Sequence, residues 1–73
     1  MIRFDSQALY QALNARREER GISWKQLADE IGVAETTVKR TRLGGRMEVD
    51  GMLAMVNWLG VPVETFTRET VGQ

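Results

Sequence analysis

Four glycines divide this chain into segments that are too short to be stable as isolated helices. Gly21, Gly32, Gly44 and Gly60 each follow a stretch whose apolar residues recur at helical spacing. Glycine ends a helix readily because it adopts the left-handed conformation without steric cost. The segment 23–31, for example, makes only about two and a half turns, below the length that a lone helix needs in water. The spacing therefore predicts a bundle of short helices that stabilise one another.

The length of the chain limits it to one domain with a small core. Its 73 residues are 42% hydrophobic and 27% charged, which is ordinary for a globular protein. It contains no cysteine, so no disulfide or thiolate metal site can support the core. We expect residues 1–73 to form a single all-α domain that is stabilised by helix packing or by a second copy of the chain.

Capping residues indicate where the helices begin. Asp5 is a good N-cap for a helix over residues 6–20, and Ser23 with Gln26 has the spacing of a capping box for a helix over residues 23–31. No stretch alternates polar and apolar side chains for long, so no strand is expected. Three further helices are predicted over residues 34–43, from residue 48 or 50 to residue 59, and from about Pro62 onward, which makes five helices.

Residue types that carry catalysis are scarce. The chain has no histidine and no cysteine, and it therefore lacks the commonest general base, metal ligand and nucleophile. Its two serines, Ser6 and Ser23, are better explained as helix caps. No apolar run approaches the roughly 18 residues that span a bilayer, and Arg3 and Asp5 argue against a signal peptide. We expect a cytoplasmic protein that is not an enzyme, with no cofactor, metal, membrane or small-molecule substrate.

Positive charge is concentrated in one short block, although the net charge of the chain is zero. Residues 36–47 contain four basic side chains and no acidic one, whereas residues 48–73 contain four acidic side chains and one arginine. Such a block suits a surface that faces phosphates. A solvated basic helix face is the alternative that the block by itself leaves open.

Residues 23–43 have the pattern of a helix-turn-helix. Only Gly32, Val33 and Ala34 join the second predicted helix to the third, and so short a turn forces the two helices to cross steeply. The third helix then projects and can enter the major groove of DNA. A plain helix corner within a bundle is the alternative, but it would not require hydroxyl and cationic residues on one face. The pattern favours DNA recognition.

The stretch from Arg17 to Arg40 resembles the Cro and lambda-repressor-like helix-turn-helix domain, including regulators of the xenobiotic-response-element type. The resemblance implies a compact five-helix fold and double-stranded DNA as the partner. Later positions, Gly44, residues 59–61 and Phe66, extend it over about residues 8–67. The matching positions in the first stretch are Gly21, Ile22, Ser23, Leu27, Ala28, Gly32, Val33 and Val38.

Three departures from the family pattern lie at the starts of the second and third predicted helices. Trp24 replaces a glutamine that clamps a phosphate; its ring could lie along the sugar-phosphate chain, with one indole hydrogen bond, or pack on a partner protein. Ala34 replaces a capping serine and forgoes about 1 kcal/mol of capping. Glu35 replaces glutamine; its carboxylate can accept from the amine of cytosine but would be repelled by a phosphate.

Two further departures concern arginines. Family members pair an arginine at the position of Arg17 with a glutamate, but Arg42 occupies the glutamate position. We therefore expect Arg42 to point outward, towards a phosphate. Arg16 replaces a buried leucine, and its stem can cover apolar surface while its guanidinium stays in water.

The predicted contacts fall into three groups. Base contacts are expected from Glu35, Thr36, Lys39 and Arg40, among which Arg40 can grip guanine in a bidentate way. Phosphate contacts are expected from Trp24, Lys25, Thr37, Arg42 and Arg46. Simple solvent exposure is the alternative for Arg40 and Glu35, and Thr37 could instead bond the backbone or a base.

A homodimer interface is expected from Met55 and Trp58, because large exposed apolar residues mark interfaces. The alternative is that Trp58 only covers the core. The leading hypothesis is a repressor that binds an inverted repeat as a homodimer, since the chain has no room for an activation or ligand-sensing module. The rival hypothesis is an adaptor or antitoxin-like partner that keeps the fold and binds DNA weakly.

Overall fold

Helices make up most of the computed structural model, which describes residues 2–44 and 48–69. None of the helices in these two ranges is long and apolar enough to cross a membrane. Two 3₁₀ turns cover Thr41–Leu43 and Val63–Phe66. The remaining elements, in chain order, are strand β1 (Ile2–Phe4), helix α1 (Ser6–Arg20), helix α2 (Trp24–Ile31), helix α3 (Glu35–Arg40), helix α4 (Val49–Leu59) and strand β2 (Thr67–Glu69).

The predicted caps of the first two helices are confirmed. The Asp5 side chain accepts a hydrogen bond from the Ala8 amide at 3.0 Å and begins α1. At the start of α2, the Gln26 amide donates to Ser23 Oγ at 3.1 Å and the Ser23 amide donates to Gln26 Oε1 at 3.0 Å. The cap of α3 is weaker, because Ala34 has no side-chain acceptor. Short-range chemistry therefore places the helix starts.

The turn between α2 and α3 depends on Gly32. This glycine has a φ of +91°, which side chains with a Cβ rarely adopt. Its amide donates to the carbonyl of Ala28 at 2.8 Å, and the next amide donates to the same carbonyl. The chain therefore ends α2 at Ile31 and begins α3 at Glu35, with only three residues between them.

The core is formed by one side of every α-helix together with Phe66. Val38 is completely buried and anchors α3 to the rest of the bundle. Thr41 is also completely buried, and its hydroxyl donates to the Val38 carbonyl at 2.7 Å, so no polar group is left unsatisfied there. The other buried apolar residues are Leu9, Leu13, Leu27, Ala28, Met55, Val56 and Leu59.

The prediction of a fifth helix and of an absence of strands is wrong. After Pro62 the chain makes a single 3₁₀ turn and then extends as β2, which pairs antiparallel with β1. Arg3 lies opposite Arg68, and the Asp5 amide donates to the Phe66 carbonyl at 2.6 Å. Strands of three residues are too short to show an alternating pattern, and their pairing exists only because the two ends of the chain meet beside the core.

Candidate nucleic-acid interface

Helix α3 presents one polar side to solvent, because its opposite side is held in the core. Val38 and Thr41 face inward, and Thr36, Lys39 and Arg40 are exposed. The following 3₁₀ turn continues the exposed side with Arg42 and Leu43. We call the surface formed by these five exposed residues the α3 face. It is the outward-held segment that the sequence pattern predicts.

The charges of the α3 face are only partly neutralised. Lys39 Nζ lies 2.8 Å from Glu35 Oε2, one helical turn away. A surface pair of this kind is worth only about 0.3–0.5 kcal/mol and opens readily. Neither Arg40 nor Arg42 forms an ion pair with any residue in the described ranges. The α3 face therefore keeps a positive excess that a phosphate backbone can satisfy.

Two hollows flank the middle of the α3 face. One has a volume of about 300 Å³ and is lined by Thr36, Lys39, Arg40, Arg42 and Leu43. The other has a similar volume and is lined by Tyr10, Trp24, Lys39 and Arg42. Because Lys39 and Arg42 line both hollows, these two cations lie between them. Together with α3 they form a surface that reaches back to the start of α2.

Trp24 is held by its own chain, in contrast to both positions that were considered for it. Its ring stacks on Tyr10 with centroids 5.1 Å apart and an interplanar angle of 14°. The Arg17 guanidinium carbon lies 4.8 Å from the ring centroid. The ring is therefore not free to lie along DNA. Its Nε1–H has no hydrogen-bond acceptor among the described residues.

Arg17 shows how the chain replaces the ion pair of the family. Its guanidinium donates to the Ile22 carbonyl at 3.1 Å and to Asn14 Oδ1 at 2.8 Å. Arg42 is exposed, as predicted, and is therefore not forced against this cation. The role of Tyr10 and Asn14 was not predicted. Their spacing from Arg17, at seven and three residues, places all three on one side of α1 and was the available signal.

The remaining predicted phosphate contacts differ in position. Lys25 is exposed in the first turn of α2, as expected. Thr37 is half-buried against α4, where its Cγ2 would lie 3.5 Å from a Cβ on Gly51. It also lines a hollow with Glu48 and Asp50, whose carboxylates would repel a phosphate. The packing of α3 on α4 therefore leaves Thr37 half-buried and outside the α3 face, and its contact with a phosphate stays a prediction.

Arg46, the last predicted phosphate contact, lies outside the described residues.

The predicted dimer contact at Met55 is wrong. Met55 is completely buried in the core of one chain and has no surface to offer a partner. Its position on α4 faces the bundle, whereas Val49 and Leu53 of the same helix are 61% and 48% exposed. Val49 and Leu53 are therefore the large apolar side chains of α4 that are most exposed to a partner.

Trp58 is half-buried and packs on the core, which is the alternative considered for it. Its Nε1–H donates to Glu30 Oε1 at 3.2 Å, and the Arg20 guanidinium carbon lies 5.9 Å from its ring centroid. Arg20 also binds Glu30 through two hydrogen bonds. We call these three side chains the Arg20–Glu30–Trp58 cluster. It connects the ends of α1, α2 and α4.

Hydrogen bonding within this cluster changes the titration of its members. The hydrogen bond from Arg20, followed by that from Trp58, lowers the pKa of the Glu30 carboxyl below its ordinary value. The same carboxylate raises the pKa of Arg20. Both effects stabilise the charged forms, so Arg20 and Glu30 are both ionised at neutral pH.

Comparison with known proteins agrees with this geometry. Residues 13–44, somewhat under half of the chain, match a family model described as helix-turn-helix. No curated protein and no solved structure matches the chain. The matched segment contains α2, α3 and the turn that joins them, and it ends at Gly44. The chain is thus similar to helix-turn-helix DNA-binding regulators over this segment, and the match supports its resemblance to the lambda-repressor-like family.

Proposed function

We propose that this protein is a sequence-specific DNA-binding transcription regulator that inserts residues 34–43 into the major groove. The observation that carries the proposal is the α3 face, which combines hydroxyl and guanidinium groups and is anchored from behind by Val38. Arg40 is assigned to guanine O6 and N7. Thr36 and Lys39 lie beside it on the same surface, and Glu35 is assigned to the amine of cytosine.

Contacts with the DNA backbone position this helix. Lys25 and Trp24, with its Nε1–H, both lie in the first turn of α2, where free backbone amides and the helix dipole attract phosphate. Arg42 lies between the two hollows and is proposed to bind a further phosphate. Arg46 is proposed for the same role on the basis of its sequence position. These contacts set affinity and register, whereas the α3 face sets sequence preference.

A homodimer on an inverted repeat is the arrangement that we propose, in the manner of xenobiotic-response-element-type repressors. Two copies would place their recognition helices about one turn of DNA apart. Val49 and Leu53 replace Met55 as the proposed apolar contact, because they are exposed one helical turn apart on α4. A cytoplasmic location follows from this role as a prediction.

A protein-interaction adaptor with weak DNA binding is the second candidate. The Glu35–Lys39 pair favours it, because this pair removes one cation from the α3 face. The zero net charge of the chain points the same way. Under this hypothesis Val49 and Leu53 would contact a different protein, and DNA binding would show no sequence preference.

Selection of bound DNA from a random pool at physiological salt tests the proposal. We expect an inverted repeat to be enriched. The binding constant of the selected DNA should fall steeply with salt, with a log–log slope of about −0.9 for each phosphate contact. Enrichment of no sequence, together with a shallow salt slope, would favour the adaptor instead.

A further inference from the structure

Leu43 is a large apolar side chain placed where the surroundings are cationic. It is 73% exposed, more than the other exposed large apolar residues of the described ranges. It closes the 3₁₀ turn after α3, immediately before Gly44. Exposed leucine has no favourable interaction with water, and burial of its surface against a ligand would contribute to binding. The cationic side chains that surround Leu43 in the α3 face indicate the chemistry of the ligand that would cover it.

Leu43 shares a surface with the residues that are assigned to bases. Thr36, Arg40 and Leu43 follow one another at intervals of four and three residues, which is the spacing of one helix side. With Lys39 and Arg42 they line a single hollow of about 300 Å³. The hollow therefore has one apolar wall and three cationic side chains at its edges.

We propose that Leu43 contacts the C5-methyl group of a thymine in the major groove, and this inference rests on the proposed DNA-binding function. Thymine is the base that presents a methyl group in that groove, and apolar contact is the means by which proteins detect it. The neighbouring cations match the charge of the adjoining phosphates. Leu43 is thus a specificity-determining residue beyond those assigned above.

The charge of the hollow argues against a second copy of the chain as the occupant. Two copies that met through Leu43 would bring Lys39, Arg40 and Arg42 of each chain towards one another, which is unfavourable. The exposed apolar residues of α4 differ in this respect, because Asp50 is the only charged residue of that helix. Val49 and Leu53 therefore suit a protein surface, and Leu43 suits DNA.

A double-mutant cycle between protein and DNA tests the contact. Each thymine of the selected inverted repeat is replaced in turn by deoxyuridine, which lacks only the methyl group, and dissociation constants are measured for wild type and Leu43→Ala. With wild-type protein, one thymine in each half-site should weaken binding about three- to fourfold when replaced, the effect of one buried methyl. With Leu43→Ala, replacement of the same thymine should have no effect.

Leu53→Ala is the matched control, because it also shortens an exposed leucine. Whatever its effect on overall affinity, it should leave the ratio of thymine to deoxyuridine binding as in wild type. Circular dichroism and sedimentation of Leu43→Ala show whether it is folded and in which oligomeric state. Leu43 is largely exposed, so both should match the wild type.

Three results decide against the contact or against its premise. An identical deoxyuridine pattern for wild type and Leu43→Ala would overturn the inference, since the methyl would then be detected elsewhere or not at all. A shift of Leu43→Ala towards monomer would reassign the residue to self-association. If wild-type protein selects no sequence, the proposed function itself has failed, and the inference falls with it.

Discussion

Two surfaces of this small domain differ in whether their arginines are bound by other side chains of the chain. In the Arg20–Glu30–Trp58 cluster each polar group is bound within the chain, and three helices are joined by hydrogen bonds. On the α3 face, Arg40 and Arg42 have no acidic partner in the described ranges. Both surfaces are solvent-exposed and both contain arginine. Whether a charge serves the fold or a ligand is therefore decided by its neighbours and not by its residue type.

Removal of the core beneath both surfaces should have the largest effect. Met55→Ala deletes a completely buried side chain, and such a change costs about 2–5 kcal/mol of unfolding free energy. The midpoint of urea unfolding, followed by circular dichroism, measures the loss. Because Met55 is buried within one chain, the loss of stability should also be found at protein concentrations where the chain is monomeric. A variant that is as stable as wild type and only fails to dimerise would restore Met55 to an interface.

A pair of exposed arginine variants compares the two surfaces directly. Arg40→Ala should weaken binding to the selected DNA about 10- to 100-fold and relax the preference at one base, because a bidentate guanine contact is lost. Its melting temperature should stay unchanged. Arg20→Ala should do the reverse, lowering the melting temperature and leaving DNA binding intact. Fluorescence anisotropy measures the DNA affinity and thermal unfolding measures the melting temperature. If both variants changed the same property, the proposed difference between the two surfaces would be wrong.

Trp24 combines the two roles, because its ring packs within the chain and its Nε1–H is proposed for a phosphate, and the two roles can be separated. Trp24→Phe keeps an aromatic ring for the stack with Tyr10 and removes the Nε1–H. We expect about a 3- to 10-fold loss of DNA affinity for all sequences alike, the value of one hydrogen bond. Trp24→Ala should in addition reduce stability. A phenylalanine variant with wild-type affinity would show that the indole donor does not contact phosphate.

The smallest expected effect is the pH dependence of the cluster. The pKa of Glu30 is lowered in the folded protein, so its stabilising effect is complete at neutral pH. It is lost as the pH falls from the ordinary glutamate pKa, about 4.3, through the lowered value. The melting temperature of Glu30→Gln should therefore depend less on pH in this range than that of wild type. Glu64→Gln, an exposed control, should follow the wild-type curve.

Much of the helical framework could be predicted from the sequence, because it depends on interactions within four residues. The hydroxyl or carboxylate of a cap, the glycine of a left-handed turn and the buried spacing of Leu9 and Leu13 are all local signals. The exposure of Thr36, Lys39 and Arg40 followed from the same spacing, since Val38 had to face the core. The direction of the α3 face was therefore accessible from the sequence.

The errors arose where two distant segments meet. Thr37 was expected on the exposed side of α3, but the approach of this helix to Gly51 leaves it half-buried beside the acidic start of α4. The ring of Trp24 was expected to lie along DNA or on a partner protein, but Tyr10 and Arg17 of the same chain pack against it. Met55 was placed on the surface because the inward side of a short helix with several apolar residues is ambiguous. Spacing along one helix can show which residues share a side, as for Tyr10 and Arg17, but it does not show which other element packs there.

By itself, the sequence determined a short-helix bundle with a helix-turn-helix and a basic third helix, because caps, glycines and helical spacing act over a few residues. The tertiary structure alone decided that the two ends of the chain pair as strands. It also decided which side of α4 is buried, and which arginines are bound and which are left for a ligand. The physical reason is that hydrogen bonds and ion pairs between distant residues depend on the packing of whole elements.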